Sequence, residues 1–199
     1  PLITGGIDLA KLDLRSGLER LTYALLIIIV ATMTGWATAT VFRFAPSDLA
    51  TPVFSPLVKA LLRLVTSFVG VYGFSLMFNS PKKMAFTAGI IGMLANTLRL
   101  ELVDFTHITV GAAAFIGALS AGLMASLIKR WIGYPRITLT VPSIVIMVPG
   151  LFMYRGIYGV AGGDVTDGIM WLIKAFLIVL ALPLGLIFAR ILTDNNFRK

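Results

Sequence analysis

The sequence predicts an all-α polytopic membrane protein with about six crossings, one of which is a helix broken by proline and glycine. Two properties of the composition predict this class: 58% of the 199 residues are hydrophobic and only 13% are charged, and the mean hydropathy is +0.93. The third observation is the length of the apolar stretches, because a helix needs about 20 residues to cross a bilayer. The lipid bilayer is therefore the first predicted partner of the chain.

Five uninterrupted apolar stretches define most of the predicted crossings. The fourth has a face of small residues three or four positions apart, which is the spacing of one helix face. Small residues let helix backbones approach closely in lipid, so this face predicts helix packing. The stretches are Leu21–Phe42, Val53–Phe78, Met84–Leu100, His107–Ile128 and Ile169–Leu192. The small face consists of Gly111, Ala114, Ala118, Ala121 and Ala125.

The remaining stretch, Ile137–Gly159, has Pro142, Pro149 and Gly150 in its interior. Proline removes a backbone donor and clashes with the preceding helical turn, so the pattern predicts a broken or re-entrant helix. Backbone groups freed at membrane depth are tolerated where they are buried in protein or line a cavity, and transporters build substrate sites in this way. A purely structural proline kink is the alternative.

The charged residues alternate between the loops as the positive-inside rule requires. This pattern predicts a multi-pass protein of the bacterial inner membrane with both ends of this chain in the cytoplasm. It also accounts for the net charge of +8 without a nucleic-acid partner. The basic loops carry Lys82, Lys83, Lys129, Arg130 and Arg136, and the acidic loops carry Asp48, Glu101, Asp104, Asp164 and Asp167.

The composition argues against most enzyme classes. The chain has no cysteine and a single histidine, His107, which excludes thiol catalysis, thiolate metal sites and a histidine cluster. It also lacks the HExxH and GxSxG motifs of zinc proteases and serine hydrolases. We therefore predict no enzymatic activity, no metal and no cofactor.

The sequence is similar to itself when it is shifted by 151 positions. A repeat of this length contains five crossings, and an odd number places the two copies in opposite orientations, as in inverted-repeat transporters. Residues 1–45 are then the last crossing of a first repeat, an amphipathic start plus a transmembrane helix. Residues 50–195 are the second repeat, with five crossings, and 196–199 form a cytoplasmic tail. A missing N-terminal half or a partner subunit would supply the rest of the first repeat. The aligned identities are Gly5 with Gly156, Asp13 with Asp164, Gly17 with Gly168, Leu21 with Leu172, Ala24 with Ala175, Leu26 with Leu177 and Ile27 with Ile178.

Basic side chains at membrane depth predict where a substrate binds. A charge there is costly and usually faces the protein interior, and a guanidinium makes paired hydrogen bonds to a carboxylate. Arg155, which follows the helix break, is the principal candidate. A half-helix beginning after Gly150 would direct its positive end at the same anion. The predicted partner is a small-molecule carboxylate substrate.

Five further side chains complete the predicted substrate site. Arg63 and Arg99 help to hold the carboxylate, although snorkelling to the interface is the alternative for both. Asn79, Asn96 and Tyr154 supply neutral hydrogen bonds, with turn formation as the alternative for Asn79.

Proton coupling needs a titratable acid, and Asp164 is the candidate, with Asp167 the only other acid near the broken segment. Trp171 is predicted to be an anchor at the membrane interface.

Three segments resemble the threonine/serine exporter (ThrE) family: Gly73–Pro81, Gly89–Arg99 and Pro142–Gly150 running into Tyr154-Arg155-Gly156. Val-Pro-Gly, then Tyr-Arg-Gly, then an acidic residue near Asp164 is the most specific part. The resemblance to the C-terminal half of the family covers about residues 50–195, and Pro1–Thr40 resembles the tail of its N-terminal half. Members occur as a fused chain or as two subunits, and relatives of the split form export succinate.

The resemblance implies a secondary exporter of small amino acids or dicarboxylates that is driven by the proton motive force and works by antiport. A passive anion-selective channel and a non-transporting subunit of a membrane complex are the alternatives. The small-residue faces also allow a homo-oligomer. Residues matched to family motif positions are Asn79, Arg99, Pro142, Pro149, Gly150, Tyr154, Arg155 and Asp164.

Overall fold

A computed structural model of the chain describes residues 1–10, 12–44 and 54–194. Within these ranges the chain forms helices and no strand, and six helical spans are long and apolar enough to cross a membrane. The predicted all-α polytopic class is confirmed. Asp48 and the predicted tail, 196–199, lie outside the described residues. The helices are α1 (Leu2–Ala10), α2 (Leu14–Val41), α3 (Pro56–Met77), α4 (Lys82–Thr106), α5 (Val110–Ile132), α6 (Arg136–Val145), α7 (Gly150–Ala161) and α8 (Val165–Thr193).

Local capping signals set several helix ends. The Ser55 hydroxyl accepts the Val58 backbone N–H at 3.5 Å, and Pro56 occupies the first position of α3. Thr109 caps α5 in the same way, and Gly133, with φ 80°, ends that helix. A hydroxyl at the N-cap satisfies a donor that has no partner inside the helix, and glycine accepts the left-handed conformation of the C-terminal cap.

The predicted break is confirmed, and it lies between α6 and α7 at residues 146–149. Pro142 is buried inside α6, which continues past it to Val145. Pro149 occupies the N-cap position of α7, and Gly150 is the first residue of that helix. Since the first N–H groups of a helix have no helical partner, a proline at this place costs little. The break therefore occurs at Pro149 and not at Pro142.

The chain divides into two compact units. The first contains α1, α2, α7 and the N-terminal half of α8, and the second contains α3 to α6 and the C-terminal half of α8. The predicted boundary between 1–45 and 50–195 concerns sequence duplication rather than compactness, and it stays a prediction. The first unit is Pro1–Val53 with Pro149–Val179, and the second is Phe54–Val148 with Leu180–Lys199.

The first unit is built from two helical hairpins, α1–α2 and α7–α8. A Cβ atom at Gly168 would lie 2.6 Å from the backbone N of Val160 and 2.8 Å from the carbonyl O of Gly156. In the other hairpin, a Cβ atom at Gly17 would lie 2.6 Å from the Leu9 side chain. Only glycine permits such close approach, so the glycines determine how tightly each hairpin closes.

The second unit packs small residues against each other. A Cβ atom at Gly122 of α5 would lie 2.5 Å from the Ala189 Cβ of α8, and one at Gly185 would lie 2.5 Å from the Phe115 carbonyl O. The predicted packing function of the small face of α5 is confirmed, because each of its members is buried: Gly111, Ala114, Ala118, Ala121 and Ala125.

Candidate functional site

A polar cavity of about 470 Å³ opens at the turn of the α7–α8 hairpin. The last two turns of α7 form one wall and the first two turns of α8 form the other. Its lining combines a cation, two carboxylates and two aromatic rings, which is a set of groups able to bind a small charged solute. The lining residues are Arg155, Tyr158, Gly159, Gly162, Asp164, Asp167 and Trp171.

Three consecutive small or polar residues, Gly162, Gly163 and Asp164, form the turn between α7 and α8. α7 ends at Ala161, and Gly163 takes φ 94°, a left-handed conformation that glycine adopts without strain. The Asp164 carboxylate then accepts the backbone N–H of Asp167 at 3.2 Å. An acidic side chain here also interacts favourably with the positive end of α8. Asp164 therefore starts α8 and lines the pocket at the same time.

The Trp171 ring contacts several of the charged and aromatic side chains in and around the pocket. Its Nε1 donates to the Asp167 carboxylate at 2.9 Å, and the Phe152 ring meets it edge-on with centroids 5.4 Å apart. The Arg155 guanidinium lies over its face at 4.9 Å from the centroid, and the Lys174 ammonium lies at 4.6 Å. Cation–π attraction thus holds Arg155 in position without neutralising its charge.

The charges of the pocket are not paired with each other. Among the described residues, Arg155 forms no ion pair with a carboxylate, and neither Asp164 nor Asp167 forms one with a cation. The guanidinium is half-buried, whereas both aspartates are exposed. The pocket therefore has a positive group and a negative pair available to a ligand.

The other predicted residues of the first unit lie outside this lining. The Tyr154 hydroxyl donates to the Phe44 carbonyl O at 3.0 Å, and its ring faces Tyr158 with centroids 6.2 Å apart. Pro149 and Gly150 are at the start of α7, whereas the pocket lies at its end. The structure thus brings together Arg155 and Asp164 among the predicted residues of this unit.

Two predicted residues of the second unit have partners within that unit. The Arg63 guanidinium makes ion pairs with Glu101 at 2.8 Å and Asp104 at 2.6 Å. Lys59 also pairs with Asp104. Asn79, with φ 58°, forms the turn after α3, where its N–H donates to the Leu76 carbonyl O at 2.9 Å. Their predicted roles in substrate binding stay predictions.

Asn96 belongs to a buried polar pair at the centre of the second unit. Its amide nitrogen donates to the Ser67 hydroxyl at 2.9 Å, and its carbonyl oxygen has no partner among the described residues. On α6, the buried Ser143 follows Pro142 and donates to the Ala88 carbonyl O of α4 at 3.1 Å. Such groups connect helices inside an apolar environment.

Arg99 donates a hydrogen bond to the segment that interrupts the broken helix. Its guanidinium donates to the carbonyl O of Met147 at 2.9 Å, in the segment between α6 and α7. Gly117 of α5 makes room for it, since a Cβ atom there would lie 3.1 Å from the Arg99 Cβ and 3.3 Å from the Met147 sulfur. A carbonyl freed by the end of a helix needs a donor in the membrane, and Arg99 supplies it.

Sequence reasoning missed Trp171 and Tyr158 as parts of the site. The role of Trp171 as an interfacial anchor stays a prediction, and the structure adds that its ring binds Asp167 and faces Arg155. The spacing of four between Asp167 and Trp171 was a usable signal, because it places both on one face of α8. Tyr158 follows Arg155 by three positions and shares its face by the same rule.

A sequence model of the threonine/serine exporter family, ThrE, matches residues 63–192. The matched segment is more than half of the chain, and it includes the α7–α8 pocket and every predicted substrate-binding residue. No solved structure matches the chain.

Proposed function

Because the chain belongs to the threonine/serine exporter family, we propose that it exports threonine and serine across the bacterial inner membrane, driven by the proton motive force. The observation that carries the proposal is the α7–α8 pocket, where Arg155, Asp164 and Asp167 line one cavity without neutralising each other. A small amino acid is a zwitterion whose carboxylate and ammonium groups complement these charges.

The substrate carboxylate binds Arg155 through charge-assisted hydrogen bonds. The ammonium group binds the Asp164 and Asp167 carboxylates, and the rings of Tyr158 and Trp171 face the short side chain. A dicarboxylate would bring a second negative group to the two aspartates, so the same pocket disfavours succinate by charge repulsion. The charge set therefore supports amino acids over dicarboxylates as the substrate class.

Proton coupling follows from competition at one carboxylate. A proton on Asp164 removes the negative charge that attracts the substrate ammonium, so proton binding and substrate binding weaken each other reciprocally. This competition is the physical basis of antiport, and it assigns Asp164 the proton-coupling role.

Arg99 binds the segment at the helix break. Its guanidinium donates to the Met147 carbonyl O, two residues before the N-cap residue of α7, Pro149. We assign the first repeat's remaining crossings to an N-terminal half or a partner subunit. We place both ends of the chain in the cytoplasm on the basis of the alternating loop charges.

The test is transport by the full-length protein in proteoliposomes with and without an imposed pH gradient. Labelled threonine, serine and succinate are compared. We expect gradient-driven accumulation of threonine and serine and little of succinate. Arg155→Gln should weaken apparent affinity about 10- to 100-fold, because a hydrogen bond to a charged group contributes about 1.5–3 kcal/mol.

Lys174→Gln is the matched control, since Lys174 lies over the same Trp171 ring but does not line the pocket. Its transport should remain near wild type. Wild-type affinity in Arg155→Gln would refute the assignment of the pocket. Accumulation of succinate alone would refute the zwitterion assignment, and equilibration without accumulation would identify a passive channel.

A further inference from the structure

The α1–α2 and α7–α8 hairpins have the same helix ends on either side of their turns after the shift of 151 positions. α1 ends at Ala10 and α7 ends at Ala161, while α2 begins at Leu14 and α8 begins at Val165. The turn of each contains a residue with positive φ at the matching position, Leu12 at 64° and Gly163 at 94°. Both turns therefore place a residue in the left-handed conformation at the same position, which is uncommon for a non-glycine residue such as Leu12.

The capping interaction is also duplicated. Asp13 accepts the Ser16 N–H at 3.3 Å at the start of α2. Asp164 accepts the Asp167 N–H at 3.2 Å at the start of α8. Each aspartate therefore caps the longer helix of its hairpin.

The packing inside the hairpins matches atom by atom. A Cβ atom at Gly5 would meet the Leu21 Cγ at 3.1 Å and the Gly17 carbonyl O at 3.1 Å. A Cβ atom at Gly156 would meet the equivalent atoms, the Leu172 Cγ at 2.6 Å and the Gly168 carbonyl O at 3.1 Å. These shared contacts, together with the recurring identities, support the prediction that the two hairpins are repeats.

Two matched pairs of residues form part of the lining of an apolar cavity within the first unit. Its volume is about 260 Å³, and Leu25 and Ile28 of α2 line it together with their counterparts in α8, Phe176 and Val179. The two long helices thus present the same face to one space inside the first unit. This is the arrangement expected of repeats related by a two-fold axis.

The two hairpin turns lie on opposite sides of the membrane. Five candidate crossings separate the start of α2 from the start of α8: α2 itself, α3, α4, α5 and the broken helix α6–α7. An odd number of crossings reverses the side. With basic loops in the cytoplasm, the α1–α2 turn faces the cytoplasm and the α7–α8 pocket faces outward.

The pocket positions of the outer hairpin are filled in the inner one. Gly159 and Trp171 of the pocket correspond to Asp8 and Arg20, and these two form an ion pair at 2.8 Å. Asp167 corresponds to Ser16, whose hydroxyl donates to the same Asp8 carboxylate at 3.1 Å. At the positions where the outer hairpin lines a cavity, the inner hairpin thus has an ion pair and a hydrogen bond between its own side chains.

We propose that the Asp8–Arg20 pair is the cytoplasmic counterpart of the outer pocket, a charge-paired gate through which the zwitterionic substrate enters. The substrate carboxylate replaces Asp8 at Arg20, and its ammonium replaces Arg20 at Asp8. Because inverted repeats exchange conformations in alternating access, opening the inner pair closes the outer pocket. The identity of the entering solute rests on the proposed function, whereas the coupling between the two hairpins does not.

The experiment measures accessibility of the outer pocket from outside. The sequence has no cysteine, so Gly162→Cys provides a single thiol of this chain in the pocket lining. A membrane-impermeant maleimide is applied to intact cells that express the full-length protein. Asp8→Asn and Arg20→Gln, each added to Gly162→Cys, should slow labelling about fivefold, because an unpaired inner gate shifts the population away from the outward-open state.

The charge exchange Asp8→Arg with Arg20→Asp should restore the labelling rate. Glu19→Gln is the matched control, because it breaks the Arg15–Glu19 pair at 3.2 Å in the same helix, where both side chains are largely exposed. It should leave labelling unchanged. Membrane levels of each variant are measured to separate misfolding from gating.

Unchanged labelling in both Asp8→Asn and Arg20→Gln would overturn the gate. So would equal slowing in Glu19→Gln, which would indicate a general effect of hairpin charge. Labelling does not require amino-acid transport, so the two proposals can fail separately. If the gate variants slow labelling as expected but the protein transports neither threonine nor serine, the proposed substrate is refuted and the coupling between the hairpins stands. If the gate variants leave labelling unchanged and the protein transports neither threonine nor serine, both the gate and the proposed function are refuted.

Discussion

Gly168→Ala tests whether the α7–α8 hairpin that forms the pocket depends on close approach of its two helices. The new Cβ atom would lie 2.6 Å from the Val160 backbone N, 2.7 Å from the Val160 Cγ2 and 2.8 Å from the Gly156 carbonyl O. Two of these three atoms belong to the backbone, which cannot rotate away as a side chain can. The helices must therefore separate to accommodate one methyl group.

The expected change in the free energy of unfolding is the difference between two terms. Overpacking of a close contact costs about 1–3 kcal/mol. The upper part of this range applies because the added methyl group would clash with backbone atoms. Replacing a helical glycine by alanine gains about 0.5–1 kcal/mol in helix propensity. Gly168→Ala should thus destabilise the protein by about 1–2 kcal/mol.

Gly35→Ala is the matched control, because Gly35 lies inside α2 and no atom comes within 4 Å of its added Cβ. That variant should be stabilised by about 0.5–1 kcal/mol. The free energy of unfolding is measured for both in mixed micelles by circular dichroism during titration with a denaturing detergent. A Gly168→Ala protein as stable as Gly35→Ala would refute the close approach of α7 and α8.

Two further substitutions test the charges of the second unit by the same measurement. Arg99→Leu should destabilise the protein by about 2 kcal/mol, because the Met147 carbonyl O loses a charged donor. Arg130→Leu, at an exposed site, is the control and should change the free energy of unfolding little. Equal effects of the two substitutions would contradict the role of Arg99 at the break. Asp104→Asn removes the ion pairs with Arg63 and Lys59 near the end of α4 and should cost about 1 kcal/mol, with a smaller effect at high salt. A larger cost that salt does not alter would show that these pairs are shielded from solvent.

The helices and the break could be predicted because local sequence determines them. Apolar length locates each crossing, and Ser55 with Pro56 marks a helix start that the structure contains. The prolines of the broken segment were ambiguous between two positions. Pro142 stays inside α6 and Pro149 starts α7, and the difference follows from which proline meets a helix end, where a missing N–H is tolerated.

The candidate site was predicted only in part. Arg155 and Asp164 were identified from charge at depth and from position after the break, and they do line one pocket. Trp171 was assigned elsewhere because an isolated tryptophan near a helix start is typical of a membrane interface. Its bond to Asp167 and its contact with Arg155 arise only when the hairpin closes.

The sequence predicts that this chain crosses the membrane as helices, that one helix breaks, and that a glycine–aspartate–glycine pattern recurs. These features depend on hydropathy and on neighbours a few residues apart. Which charges are available to a ligand depends instead on tertiary packing. Arg63 is satisfied by Glu101, 38 residues away, and Arg99 by the Met147 carbonyl, 48 residues away, whereas Arg155 keeps its charge open to the pocket. The partner of a charge depends on which helices lie next to each other, and that is set by many weak packing contacts that no local pattern encodes.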